Sequence, residues 1–185
     1  MGSAVANADT PAACNSFWPL YSLRIAALLS FAFLSLLVAG PCRAKEACPW
    51  LNEATAGGFL DGAVHSNVTH TTKNPDDANC EFILRNGSTT TVLRIDVETL
   101  AKWSADFAPY VARCGQEAEP LKAVGNEAVV CGFDGKKREV SEQVIGRVRD
   151  RAFTVRITFN AGERNRDVMQ ERAKRIAEQV AGFLF

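Results

Sequence analysis

The pattern of hydrophobic and polar residues divides the chain into an apolar segment near the N-terminus and a longer region of mixed periodicity. The apolar segment covers residues 25–40, and Arg24 precedes it. It is shorter than the roughly 20 residues of a bilayer-spanning helix and close in length to the apolar core of a secretory signal. Cys42 and Ala44 are small residues suited to a cleavage site. We therefore expect residues 1–44 to be a signal peptide cut after Ala44.

Two alternatives to cleavage stay open. Lipidation of Cys42 would tether the protein, but the residue before the cysteine is Pro41, where a lipoprotein signal has a small residue. An uncleaved segment would anchor the protein directly. Membrane contact is expected only if the N-terminal segment is retained or lipidated. With cleavage, we expect a periplasmic or extracellular protein.

The remaining region alternates between strand and helix periodicities. Alternation of apolar and polar residues predicts strands, and apolar residues spaced by three and four predict amphipathic helices. Asn86-Gly87 predicts a tight hairpin turn, because both central positions of a type I′ turn have positive φ. The predicted elements are a short helix from 48, strands over 63–71, 80–85 and about 93–97, a helix over 98–114, a connector over 119–125, strands over 128–133, 139–148 and about 153–159, and a helix from about 164.

The order of these elements indicates the fold class. Strands joined by short turns pair antiparallel, since a parallel pair needs a long crossover. The predicted order is α-β-β-β-α-β-β-β-α. Residues 45–185 are therefore expected to form a single α+β domain, in which one antiparallel β-sheet is flanked by about three helices.

Four cysteines are left once residues 1–44 are removed: Cys48, Cys80, Cys114 and Cys131. An even number in a small exported domain indicates disulfides, and four cysteines allow three pairings. We favour the two sequential pairs, Cys48–Cys80 and Cys114–Cys131. None of the cysteines has the C-x-x-C spacing of a zinc site, so neither a metal nor another cofactor is predicted.

Several short motifs occur in an order that resembles a family of secreted bacterial proteins, mostly lipoproteins, known as domain of unknown function 3558. The motifs are Cys48-Pro-Trp-Leu-Asn-Glu-Ala-Thr-Ala, Cys80-Glu-Phe, Val124-Gly-Asn-Glu-Ala and the hairpin from Gly146 to Val155. The resemblance implies a Cys48–Cys80 bridge and an antiparallel sheet flanked by helices. It implies no activity and no catalytic residues, and Pro41 departs from the lipoprotein pattern.

Catalytic patterns are weak in this chain. No serine lies in a Gly-x-Ser-x-Gly elbow, and no glycine loop has the spacing of a phosphate-binding loop. His65 and His70 are the only histidines, and a separation of five on one strand points them to opposite faces. His70 could still converge with Asp76, Asp77 and Glu81 across a turn. We expect a non-catalytic binding or envelope-associated module. A small secreted hydrolase and a membrane-tethered structural protein are the alternatives.

Charge adds little about partners. The chain has 21 basic and 21 acidic residues, a balance that argues against nucleic-acid binding. A local basic patch is the one candidate docking surface, for an unknown protein, envelope component or small ligand. It consists of Lys136, Lys137, Arg138, Arg149 and Arg151.

Overall fold

A computed structural model describes residues 46–71, 74, 76–134, 139–160 and 165–185 of the protein. The predicted signal peptide and its cleavage site lie outside these residues. So do Lys136, Lys137 and Arg138 of the predicted basic patch.

The described region contains three α-helices, one 3₁₀ segment and seven strands. In chain order they are α1 (Glu53–Leu60), β1 (Val64–His70), β2 (Ala78–Asn86), β3 (Thr89–Thr99), α2 (Trp103–Val111), the 3₁₀ segment (Ala112–Glu117), β4 (Glu119–Leu121), β5 (Glu127–Asp134), β6 (Glu139–Val148), β7 (Arg151–Asn160) and α3 (Arg166–Leu184).

The seven strands form one sheet in the order β1-β2-β3-β7-β6-β5-β4, and all neighbouring strands are antiparallel. The predicted α+β class, with a single antiparallel sheet flanked by three helices, is confirmed. The short strand β4 is an addition, because residues 119–125 were predicted to be a connector. Three residues that include Pro120 show no alternation, and their strand character comes from pairing with β5.

One face of the sheet carries the main core and is covered by α1 and α3. Alternating residues of the strands point into this core, among them Phe82, Leu93, Phe153 and Ile157. Helix α3 presents an apolar face at helical spacing to β5, β6 and β7. The buried residues of α3 are Met169, Ala173, Ile176, Ala177, Val180, Ala181 and Leu184.

Arg172 joins the two helices on this face. Its Nη1 donates to the carbonyl of Phe59, 2.8 Å away, and its Nη2 lies 2.5 Å from Oδ2 of Asp61. Asp61 follows α1 in the left-handed conformation, with φ of 63°. Arg172 of α3 thus donates to a carbonyl in the last turn of α1. The last carbonyls of a helix have no hydrogen-bond partner within the helix itself.

The opposite face is only partly covered. Helix α2 and the 3₁₀ segment pack over β5, β6 and β7 and form a second, smaller core around Phe107, Ile145 and Ala152. The part of this face that belongs to β1, β2 and β3 carries mostly polar side chains. The sheet is thus covered by helices on one side and half covered on the other.

Both edge strands of the sheet have features that prevent pairing with a strand of another molecule. At the β1 edge, the backbone N–H and the hydroxyl of Ser66 both donate to Oε1 of Glu53, each at 2.7 Å. At the other edge, β4 has three residues, and Pro120 has no N–H to offer. Side-chain capping, shortness and proline are devices that prevent edge-to-edge association.

Both favoured disulfides are present. Cys48–Cys80 joins the segment before α1 to β2 in the main core, and Cys114–Cys131 joins the 3₁₀ segment to β5 in the second core. Two disulfides indicate folding in an oxidising environment outside the cytosol. Within the described ranges, no helix combines the length and the hydropathy of a bilayer span.

Candidate binding cleft

A cleft of about 360 Å³ lies where β4, β5 and β6 meet the first turns of α3. Its position follows from the sheet order, which brings the N-terminal end of α3 over the middle of β5 and the start of β6. The residues that line it are Ala118, Glu119, Val130, Cys131, Gly132, Glu142, Arg166 and Gln170. At its centre, the guanidinium of Arg166 pairs with the carboxylate of Glu142.

Glu142 is a charged residue at a core position. It lies on β6 between Val140 and Val144, in phase with both, and its side chain is 1% exposed. Burial raises the pKa of the Glu142 carboxyl above its usual value, while the hydrogen bond and positive charge of Arg166 oppose the rise. Nε of Arg166 lies 2.5 Å from Oε1 of Glu142. A buried carboxylate of this kind is held in the fold by its paired guanidinium.

Gly132 makes room for this ion pair. It lies directly opposite Glu142 in the register of β5 and β6. A Cβ at this position would come within 2.7 Å of Oε1 of Glu142 and would also overlap Nη2 of Arg166. The absence of a side chain on β5 is therefore what allows the carboxylate and the guanidinium to meet over the strand.

Arg166 connects the buried carboxylate with the surface. It is the first residue of α3, directly after Asn165, whose side chain caps the helix by accepting from the N–H of Asp167. Its Nη1 lies 3.1 Å from Oδ1 of Asp134, an exposed residue at the end of β5. The guanidinium is half-exposed and so stands between the interior of the cleft and solvent.

The cleft offers both donors and acceptors to a polar molecule. The Arg166 guanidinium and the Gln170 amide can donate, and the carboxylates of Glu119 and Glu142 can accept. The raised pKa of Glu142 also lets this carboxyl hold a proton more readily than an exposed one. Among the described residues, no group of three potential ligands is arranged to hold a metal ion.

The described part of the predicted basic patch lies elsewhere. Arg149 and Arg151 flank the turn after β6, whereas Glu142 lies near the start of that strand. Arg149 has φ of 54°, and its N–H donates to Oδ1 of Asn126. Nη2 of Arg151 lies 3.2 Å from the carboxylate of Asp76. The structure does not bring either arginine to the cleft, and the docking patch stays a prediction.

The histidines do not join a cluster with Asp76, Asp77 and Glu81. His65 is exposed, whereas Nε2 of His70 lies 3.0 Å from Glu46, on the other face of β1. The three acidic residues have other partners: Asp76 pairs with Arg151, Asp77 accepts from Thr99, and Glu81 accepts from Arg94.

The residues of the cleft were missed at the level of sequence, although one signal was available. Glu142 interrupts an otherwise apolar series on the core side of β6, formed by Val140, Val144 and Val148. A charged residue in phase with a core face is rarely fully buried without a partner. The partner could not be identified, because Arg166 lies far along the chain and meets Glu142 only through the packing of α3.

Fold and cleft together define a disulfide-bridged α+β domain with a polar cleft built around the buried carboxylate of Glu142 and its partner Arg166. Comparison of the chain with family models, with curated proteins and with solved structures finds no match. The resemblance to domain of unknown function 3558 therefore stays a prediction.

Proposed function

We propose that the protein is an exported, non-catalytic domain that binds a small polar ligand in the cleft between β5, β6 and α3. One observation carries the proposal: Gly132 leaves a gap over β5 in which the buried carboxylate of Glu142 pairs with the half-exposed guanidinium of Arg166 at the wall of an open cleft. The volume of the cleft lies in the range of small-molecule sites, and its mostly polar lining suits a polar ligand.

Export is part of the proposal. The mature protein would begin after Ala44 and would act in the periplasm or outside the cell, as a binding or envelope-associated module. The two disulfides support this location. Membership of the secreted family of unknown function would agree with it. Mass spectrometry of the exported chain tests the location, since an unmodified N-terminus at Lys45 excludes both a lipid tether at Cys42 and an uncleaved anchor.

Binding in the cleft can be tested with a glycine pair. Gly132→Ala would place a methyl group against the ion pair, whereas Gly182→Ala on α3 meets no atom within 4 Å. Each purified protein would be incubated with a deproteinised extract of bacterial cells and examined by native mass spectrometry. We expect wild type and Gly182→Ala to retain the same added mass and Gly132→Ala to lose it.

Two results would count against this proposal. The first is that folded wild-type protein retains no molecule from the extract. The second is that Gly132→Ala, shown by circular dichroism to be folded, retains the same molecule as wild type. Gln170→Ala serves as a milder variant if Gly132→Ala does not fold, because it removes one amide of the cleft lining and leaves the ion pair intact.

A small secreted hydrolase is the second candidate, and the raised pKa of Glu142 favours it. A raised pKa lets the carboxyl hold a proton more readily, and a protonated carboxyl can act as a general acid. Glu142→Gln keeps the shape of the side chain but has no proton to transfer. A hydrolase activity that survives this substitution would exclude Glu142 as its acid.

A further inference from the structure

The uncovered part of the second sheet face carries a row of polar side chains that the cleft does not use. We call the polar side chains of β1, β2 and β3 on this side, with the neighbouring side chains of Ser141, Arg156 and Thr158, the open face. Gln143 of β6 continues the row but is buried beside the second disulfide. The strand register places this row in one line across the sheet. In order, the line consists of Asn67, Glu81, Arg94, Arg156 and Gln143. Gln143 follows Glu142 in β6, so the open face and the cleft lie on opposite sides of the sheet.

Two arginines are direct neighbours in this line. Arg94 on β3 lies opposite Arg156 on β7 in the antiparallel register. Residues directly opposite each other on one face have Cβ atoms about 5 Å apart, and like charges in such a pair destabilise the sheet. The paired arginines therefore lower the stability of the fold locally. Residues that break a local rule of stability are expected at functional sites.

The two guanidiniums are held from opposite directions. Arg94 donates to the carboxylate of Glu81, on the β2 side. Arg156 instead donates through Nε to Oε1 of Gln143, at 3.0 Å on the β6 side. The side chain of Gln143 is wholly buried, and its Nε2 lies 3.3 Å from the sulfur of Cys131. Arg156 is therefore oriented by a side chain that the disulfide framework itself holds in place.

Arg156 has no carboxylate partner within 4.0 Å among the described residues, and its Nη groups are not used by the bond to Gln143. Asp96 lies diagonally across on β3 and attracts both arginines, but its carboxylate accepts a hydrogen bond from Asn79. The Nη atoms of Arg156 are thus available to an acceptor that approaches the open face.

Two hydroxyls add a further donor beside this arginine pair. Oγ of Ser141 and Oγ1 of Thr158 lie 2.8 Å apart in the next line of the open face. Thr158 is two residues from Arg156 on β7, so both point to the same side. One hydrogen bond between the hydroxyls uses one of their two hydrogens. The second hydrogen can be donated to a ligand.

We propose that the open face binds an oxyanion, a carboxylate or a phosphate group, between Arg94 and Arg156, with the Ser141–Thr158 hydroxyl pair as a further donor. The anion offsets the repulsion between the two guanidiniums and accepts from their Nη groups. Arginine is suited to this task because its planar fork donates two parallel hydrogen bonds to such groups. The site is separate from the cleft and does not depend on the function proposed for it.

The test is a titration of ¹⁵N-labelled protein, followed by NMR, with inorganic phosphate and, separately, with succinate. Sodium chloride keeps the ionic strength constant, so that general screening does not change. We expect at least one anion to shift the side-chain Nε–H signals of Arg94 and Arg156 and the amide signal of Thr158 in a saturable manner. Which anion saturates distinguishes a phosphate site from a carboxylate site.

Variants locate the effect. Arg156→Gln should weaken binding about tenfold or more, the usual effect of losing a charge-assisted hydrogen bond. Arg175→Gln on α3 is the matched control, because it removes the same charge from a residue paired with Glu171 on another surface. If Arg156→Gln does not fold, Arg94→Gln gives the same test, because it removes the other guanidinium of the pair. The partner of Arg94 is Glu81 on β2, so this variant leaves the contact between Arg156 and Gln143 in place.

The proposal is wrong if neither anion gives saturable shifts at these residues. It is equally wrong if the control Arg175→Gln weakens binding as much as Arg156→Gln or Arg94→Gln, since attraction by net charge would then account for the effect.

Discussion

The side-chain amide of Gln143 donates a hydrogen bond to the sulfur of Cys131, with 3.3 Å between Nε2 and Sγ. This contact joins the second disulfide to the middle of the sheet, because Gln143 lies on β6 and Cys131 on β5. The same glutamine accepts from Arg156 through Oε1. A wholly buried polar side chain is thus satisfied on both ends, as buried polar groups require.

Replacing this glutamine should weaken the fold. Gln143→Leu has a similar volume but can neither donate to the sulfur nor accept from Arg156. We expect the free energy of unfolding in urea to fall by about 1–2 kcal/mol. Thr90→Ala, at an exposed position of β3, should change it by less than about 0.5 kcal/mol. Equal stability of Gln143→Leu and wild type would show that these hydrogen bonds stabilise the fold no more than an apolar side chain of similar volume does.

Each disulfide should contribute substantially to stability. The bridges Cys48–Cys80 and Cys114–Cys131 close loops with sequence separations of 32 and 17. Restriction of the unfolded chain by loops of this length is worth about 3 kcal/mol per bridge. Replacing either pair by alanine should therefore lower the urea midpoint markedly. A reductant should lower it further in each variant, since one bridge is left. A midpoint that does not respond to reductant would contradict this expectation.

Two glycines should respond to alanine in opposite directions. A Cβ at Gly146 on β6 would overlap the ring of Phe153, which is fully buried. Gly146→Ala should cost about 1–3 kcal/mol through overpacking. Gly182→Ala in α3 meets open space and should stabilise the helix by up to about 1 kcal/mol. Thermal unfolding followed by circular dichroism distinguishes the two. A stabilised Gly146→Ala would mean that Phe153 can move aside.

The buried carboxyl of Glu142 should make stability depend on pH. Its pKa is raised in the folded protein, mainly by burial, so the folded state binds the proton more tightly than the unfolded state. The corresponding stabilisation is present below the unfolded pKa and is lost as the pH rises through the folded pKa. Glu142→Gln does not titrate. The stability of this variant relative to wild type should therefore increase between pH 4 and pH 7.

Urea unfolding at both pH values measures this difference without adding ions. Asp96→Asn should show a trend of the same sign, because burial also raises the pKa of Asp96. A relative stability of Glu142→Gln that decreases with pH would show that Arg166 outweighs burial and lowers the pKa of the carboxyl.

Much of the fold could be predicted from local pattern. Alternation of apolar and polar residues predicted the strand over about 153–159, and its alternating apolar residues Phe153, Val155, Ile157 and Phe159 are all buried. A two-residue hairpin turn joins β2 to β3, as predicted, but its central residues are Gly87 and Ser88, because Asn86 already pairs with Thr89. Of these residues only Gly87 has positive φ, 59°, so the predicted type I′ turn centred on Asn86 and Gly87 is not formed. Such signals are local because side-chain direction in a strand depends only on position along it.

The candidate cleft could not be predicted in the same way. Its ion pair needs Gly132 on β5, Glu142 on β6 and Arg166 at the start of α3, and nothing in the spacing of these residues relates them. The short strand β4, which borders the cleft, was missed for a similar reason. Three residues carry no periodicity, and their hydrogen bonds come from β5.

By itself, the sequence determined which residues share a face, the number of cysteines and the order of the elements. The tertiary structure alone decided that β7 lies between β3 and β6, which sets Arg94 opposite Arg156 and brings α3 over Glu142. The physical reason is the distance along the chain over which each kind of interaction acts. Periodicity and turn geometry act between neighbours along the chain, whereas strand order and the pairing of charges depend on how the whole sheet buries its apolar face.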